Sequence, residues 1–121
     1  MNQARVITPH KLLTVCVVVE IATGVALLLT PGLFSHLLLG IVATEMTNLF
    51  ARFFGLALIG LGIACWPRPR PQSTAAMRSM QFYNGAIALY LAYIGVFVST
   101  GLLLWPAVVL HAVMAGLLLR R

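Results

Sequence analysis

Three ionisable side chains fall inside long apolar stretches of the sequence: Glu20, Arg52 and His111. A charge at bilayer depth is costly, so such residues mark a binding or proton-handling site by default. At 1.5 Å rise per residue, Glu20 lies about 15 Å below the outer end of its stretch and Arg52 about 8 Å below the start of its own. His111 comes out about 9 to 14 Å deep, and Tyr90 and Tyr93 about 10 to 15 Å. One layer in the outer half of the membrane would therefore collect Glu20, Arg52, His111, Tyr90 and Tyr93.

The simplest chemistry is a buried Glu20–Arg52 ion pair, with His111 and a tyrosine hydroxyl completing its hydrogen bonds. An arginine can span the remaining vertical offset of about 7 Å by reaching inward. Two readings stand side by side. The pair fixes helix register, or the layer lines a small binding cavity or proton path. Glu45, seven residues before Arg52, falls at the outer boundary in water. Asn84, beside Tyr83 near the inner end of its stretch, suits a bond to a neighbouring helix better than a ligand contact. No catalytic residue or metal set is identified, and no cofactor is expected. The one candidate axial partner of His111 for haem is His36, at a different depth, and no CxxCH is present. Cys16 and Cys65 do not form a CxxC pair and read as packing residues on a reducing side.

The elements that must position this layer follow from composition. The 121 residues are 61% hydrophobic and only 8% charged, with mean hydropathy +1.01. That is too little charge for a soluble globule, whose charged fraction is about 25%, and it excludes soluble-enzyme, disordered and disulfide-scaffold classes. Four apolar runs, about Leu12–Thr30, Thr47–Trp66, Gln81–Thr100 and Leu102–Leu119, are each long enough to cross the bilayer. The expected fold is an all-α membrane protein: a four-transmembrane-helix antiparallel bundle forming one integral membrane domain over residues 1–121. Thr30-Pro31-Gly32 stops the first run and the PRPRP segment closes the second, while Ser73 or Thr74 can cap the third. Glu20 within the first run, and the lack of a small-x-small site after it, identify a retained helix rather than a cleaved signal.

Seven of the eight basic residues flank the runs on one side: Arg5, Lys11, Arg68, Arg70, Arg78, Arg120 and Arg121. The positive-inside rule then places both termini and the central loop in the cytoplasm (N-in/C-in). Trp66 and Trp105 fall near opposite boundaries. Charges spread over three short flanks suit anionic lipid, not nucleic acid. The connector from Pro31 to Met46 is unusually apolar. Phe34, Leu37, Leu38 and Leu39 can lie in the interface as a short helix after Pro31-Gly32, with Ser35 and His36 toward water. The segment reads as a lipid-hugging link in preference to a gating lid. Small residues recur four apart (Ala51 and Gly55, Gly60 and Ala64, Ala22 and Ala26, Ala88 and Ala92, Ala112 and Gly116), as at close helix seams. Span two carries them on more than one face, which leaves room for a homodimer or a membrane-complex partner.

The stretches PGLFSHLLLG and NLFARFFGLALIGLGIACW resemble small bacterial four-helix membrane proteins of the DoxX-like kind. The resemblance implies a four-helix bundle with a proline-glycine exit from helix one and an arginine opening helix two. The segment EIATG, Glu20 to Gly24, is locally similar to small multidrug resistance transporters, which would make Glu20 a proton-exchanging carboxylate within a dimer. The chain departs from that family in GAIALYLAYIG, which lacks its glycine-tryptophan signature, and in Arg52, which would neutralise the glutamate. The expected role is non-enzymatic, an accessory subunit or a binder of a small lipophilic molecule. The alternatives are a proton-coupled transporter using Glu20 and, third, an enzyme acting on a lipophilic substrate.

Overall fold

A computed structural model of the chain describes residues 8–69 and 73–120; Arg5, Arg70 and Arg121 of the basic flanks lie outside them. Among the described residues the chain forms five helices and no strand: α1 (Pro9–Leu29), α2 (Pro31–Leu39), α3 (Glu45–Ala64), α4 (Thr74–Phe97) and α5 (Leu104–Leu119). Helices α1, α3 and α4 are long and apolar enough to cross a membrane. Helix α5, with 16 residues, is about 24 Å long at 1.5 Å per residue. It starts two residues later than the apolar run suggests, because Gly101 and Leu103 donate their N–H groups to the carbonyls of Leu38 and Leu37 instead of entering a helix.

The ends of the helices follow local chemistry. Helix α1 stops at Leu29, and Pro31 opens α2 at a position where its missing N–H is no loss. Gly40 terminates α2 in the left-handed region, with φ 69°. Thr44 and Thr47 form a reciprocal capping box on α3: the Thr44 hydroxyl accepts from the Thr47 N–H at 3.2 Å, and the Thr44 N–H donates back at 3.4 Å. Ser73 caps α4 by accepting from the Ala76 N–H at 3.3 Å, so α4 begins well before the apolar run at Gln81.

The connector after α1 is thus the short helix expected after Pro31-Gly32, but Ser35 does not face water. Ser35 is buried within it while His36 is exposed. Pro31 and Ser35 share one face, four residues apart, and that face turns inward as α2 meets α1, α3 and α5.

Helix α1 packs along α3 and α4 packs along α5, with lighter contacts joining the two pairs through α1. The α1–α3 seam is a mutual glycine contact. A Cβ on Gly24 would stand 2.6 Å from the Gly55 carbonyl oxygen, and one on Gly55 would stand 2.6 Å from the Gly24 oxygen. Gly62 sits equally close to Ile21. Gly60 and Gly116, expected at seams, have no neighbour within 4 Å. The core gathers at one end, from Leu12, Leu13, Cys16 and Val17 of α1 with Cys65, Met80, Met114 and Leu118. The outward faces stay apolar, with Phe53, Phe82, Leu89 and Phe97 exposed. That is the pattern of helices facing lipid.

Candidate functional site

Each helix buries one stripe, and polar residues sit in the middle of three of them. On α1 the stripe is Leu13, Val17, Glu20, Gly24 and Leu27. On α4 it is Ala76, Met80, Asn84, Ala88 and Leu91, and on α5 it is Leu104, His111, Ala115 and Leu118. Packing these stripes together brings Glu20, Asn84 and His111 to one point inside the molecule. Glu20 and Asn84 are fully buried, and His111 is 8% exposed.

The geometry assigns the histidine tautomer. The Asn84 Nδ2 donates to the Met80 carbonyl at 2.8 Å, one turn back on α4, which fixes the orientation of the amide. Its Oδ1 then faces His111 Nδ1 at 2.8 Å. An amide oxygen only accepts, so Nδ1 carries the proton and, in the neutral ring, Nε2 is a bare acceptor. Glu20 Oε1 is 3.9 Å from the same Nδ1, beyond hydrogen-bond reach. Neither carboxyl oxygen of Glu20 has a hydrogen-bond partner. The Tyr83 ring meets the His111 ring edge to face, with centroids 6.1 Å apart at 86°.

Arg52 does not join this cluster. It is exposed, and its Nε donates to the Leu28 carbonyl at 3.4 Å, in the last turn of α1. The expected Glu20–Arg52 pair is thus replaced by a cation at a helix C-terminus, where the last carbonyls lack intrahelical partners. The reasons are height and azimuth. Gly55 of α3 faces Gly24 of α1, which sets Arg52 level with the end of α1, about 12 Å along the axis from Glu20. The buried face of α3 is Gly55, Leu58 and Gly62, and Arg52 falls off it. Tyr90 and Tyr93 likewise fall off the Asn84–Ala88–Leu91 stripe. They are 61% and 54% exposed and stack on each other at 6.3 Å, away from the polar point. Asn84 does bond a neighbouring helix, as expected, through His111 of α5. Because α4 starts at Thr74, Asn84 stands ten residues into the helix rather than near its inner end.

A cavity of about 300 Å³ opens beside the cluster. Its walls are apolar, from Phe34 and Leu38 of α2, Phe54 of α3, Ile87 of α4 and Leu110 of α5, and its polar lining is Tyr83, His111 and Thr23. Helix α2 covers the cavity and is held there by the Leu37 and Leu38 carbonyls, which accept from the turn between α4 and α5. Among the described residues no three His, Cys, Asp or Glu side chains come together to hold a metal. Apolar walls with a few convergent polar groups are the usual make-up of a small-molecule site.

No family model matches the chain, and no curated protein or solved structure matches it.

Proposed function

We propose that the protein is a four-helix integral membrane protein that binds a small lipophilic molecule, without transforming it, in the cavity lined by all five helices. The observation that carries this reading is the apolar chamber of about 300 Å³ with Tyr83 and His111 at its wall. In this proposal α5 crosses the bilayer with α1, α3 and α4, and both termini and the α3–α4 loop are cytoplasmic in a bacterial inner membrane. Lys11, Arg68, Arg78 and Arg120 support that orientation, since they flank helix ends that meet in the same core. Kinship with DoxX-like proteins belongs to the same proposal. It rests on PGLFSHLLLG, which forms α2 with its glycine stop, and on the arginine near the start of α3.

Naphthalene is a suitable probe for the chamber. The full chain in nanodiscs should take it up saturably, one molecule per chain above the uptake of empty discs. Ala107→Trp, which fills the cavity wall, should abolish the saturable part. Uptake equal to that of empty discs refutes the binding reading. Orientation is tested separately with His36→Cys and Pro69→Cys, both exposed sites. Labelling of Pro69→Cys from outside intact cells overturns the topology.

A second reading, proton-coupled transport through Glu20, draws support from one observation: Arg52 lies elsewhere and leaves this carboxyl without a cationic neighbour other than His111. Glu20→Gln would then abolish pH-dependent uptake while leaving the protein folded.

A further inference from the structure

The chemistry of the cavity wall goes further than its shape. Resting on the ligand-binding reading above, we infer that the site selects a lipophilic hydroxyl compound, a phenol or alcohol that donates a hydrogen bond, over molecules of the same shape that only accept.

The inference follows from how His111, at the wall, is already engaged. His111 has one nitrogen committed, because Nδ1–H donates to Asn84 Oδ1 at 2.8 Å. Asn84 cannot turn to offer its amide nitrogen instead, since Nδ2 is tied to the Met80 carbonyl at 2.8 Å. Both Asn84 and Glu20 lie behind the ring, fully buried and outside the cavity lining. The ring edge that His111 shows to the cavity is therefore the one bearing Nε2. That atom has no hydrogen-bond partner among the described residues, and it is not sealed from the cavity. In the neutral ring it presents a lone pair.

Tyr83 lines the same cavity, with its ring set edge-on against the His111 ring. Its hydroxyl can both donate and accept, so it can accommodate either kind of ligand oxygen. The Nε2 lone pair can only accept, and the other hydroxyl lining the cavity is that of Thr23.

A ligand O–H satisfies Nε2; an ether or ketone oxygen meets its lone pair and leaves it desolvated. A polar group left unpaired in a dry site costs more than the bond itself is worth, which is how hydrogen-bonding pockets reject close analogues.

The test compares 1-naphthol with 1-methoxynaphthalene on the full chain in nanodiscs, with each affinity corrected for partition into empty discs. Naphthol should bind ten- to a hundredfold more tightly than the ether. Asn84→Leu frees the histidine to exchange tautomers and should shrink that ratio to a few-fold while naphthalene still binds. Tyr83→Phe removes a hydroxyl that can serve either probe and should leave naphthol the tighter binder. If the two probes bind equally to the unaltered protein, donor selection is wrong, yet the cavity reading stands because both are bound. If neither probe nor naphthalene binds, the cavity reading itself falls. An unchanged ratio in Asn84→Leu overturns the tautomer argument, because a merely structural asparagine would alter both affinities alike.

Discussion

The mutual contact of Gly24 and Gly55 makes Gly55→Ala a sharp probe of the α1–α3 seam. A Cβ at this position stands 2.6 Å from the Gly24 carbonyl oxygen and 3.0 Å from the Leu27 Cβ. Backbone atoms cannot swing aside as a side chain would. Restoring a normal contact distance therefore separates the helices by roughly 0.8 Å, which would loosen dispersion contacts along the whole seam. Overpacking of this kind costs about 1–3 kcal/mol. Gly60→Ala is the internal control, on the same helix but with nothing within 4 Å. There the only change is helix propensity, a gain of up to about 1 kcal/mol. Reversible unfolding by a denaturing detergent, titrated from mild micelles, reads both free energies on one scale. Gly24→Ala should resemble Gly55→Ala. The double variant should cost less than the two single changes together, because the first substitution already separates the helices. Equal effects of Gly55→Ala and Gly60→Ala would refute the seam.

Three further outcomes follow from the structure. Glu20→Leu removes a buried carboxyl whose oxygens have no partners, so it should raise stability by about 1–3 kcal/mol. A loss of stability would show that Glu20 is well paired. Arg52→Gln should cost under about 1 kcal/mol, because the residue is exposed and bonds one carbonyl; a loss of about 3–5 kcal/mol would point to a buried ion pair instead. Gly101→Ala drives a methyl group into the Leu37 carbonyl. It should displace α2 from the cavity and reduce naphthalene binding along with stability; full binding would show that α2 is not its cover.

Depth along a helix was legible for two residues only, and direction around it was not. Counting 1.5 Å per residue from the ends of apolar runs puts Glu20, His111, Arg52, Tyr90 and Tyr93 in one layer, and Glu20 and His111 do approach each other. Arg52 instead bonds the Leu28 carbonyl, eight residues or about 12 Å along α1 from Glu20. Tyr90 and Tyr93 stand six and nine residues beyond Asn84, the α4 residue that meets His111, or about 9 and 13 Å along the axis. Contact also requires that both side chains lie on their helices' inner stripes. Only the packing decides which stripe is inner when a helix is apolar on every side, and Arg52, Tyr90 and Tyr93 face outward. The same limit applies to the glycines: spacing finds Gly55 and Gly60 alike, and only the neighbouring helix distinguishes them. The start of α4 was legible from its cap and not from hydropathy. Its first turns carry Arg78, Ser79 and Gln81, which hydropathy reads as loop, whereas Ser73, one of the two caps expected, marks the beginning. With that start, Asn84 moves to mid-helix and becomes the partner of His111.

Whether Glu20 moves protons across the membrane depends on what lies beneath it. On the side of the helix termini, the route from Glu20 passes Val17, Cys16, Leu13, Met80 and Met114, each buried and all within one apolar core. A transporter must open that route in part of its cycle, which would require α1 to leave α4 and α5 and expose this surface. A binding protein need never do so, because its cavity opens on the opposite side of the cluster, under α2. Cys16, one turn below Glu20, reports the difference. In a Cys65→Ser background, a charged, water-soluble thiol reagent should leave Cys16 unmodified at every pH and with either naphthol probe present. Modification that rises as pH is changed would require water to reach the core from the terminal side. Transport would then displace binding as the reading of this site.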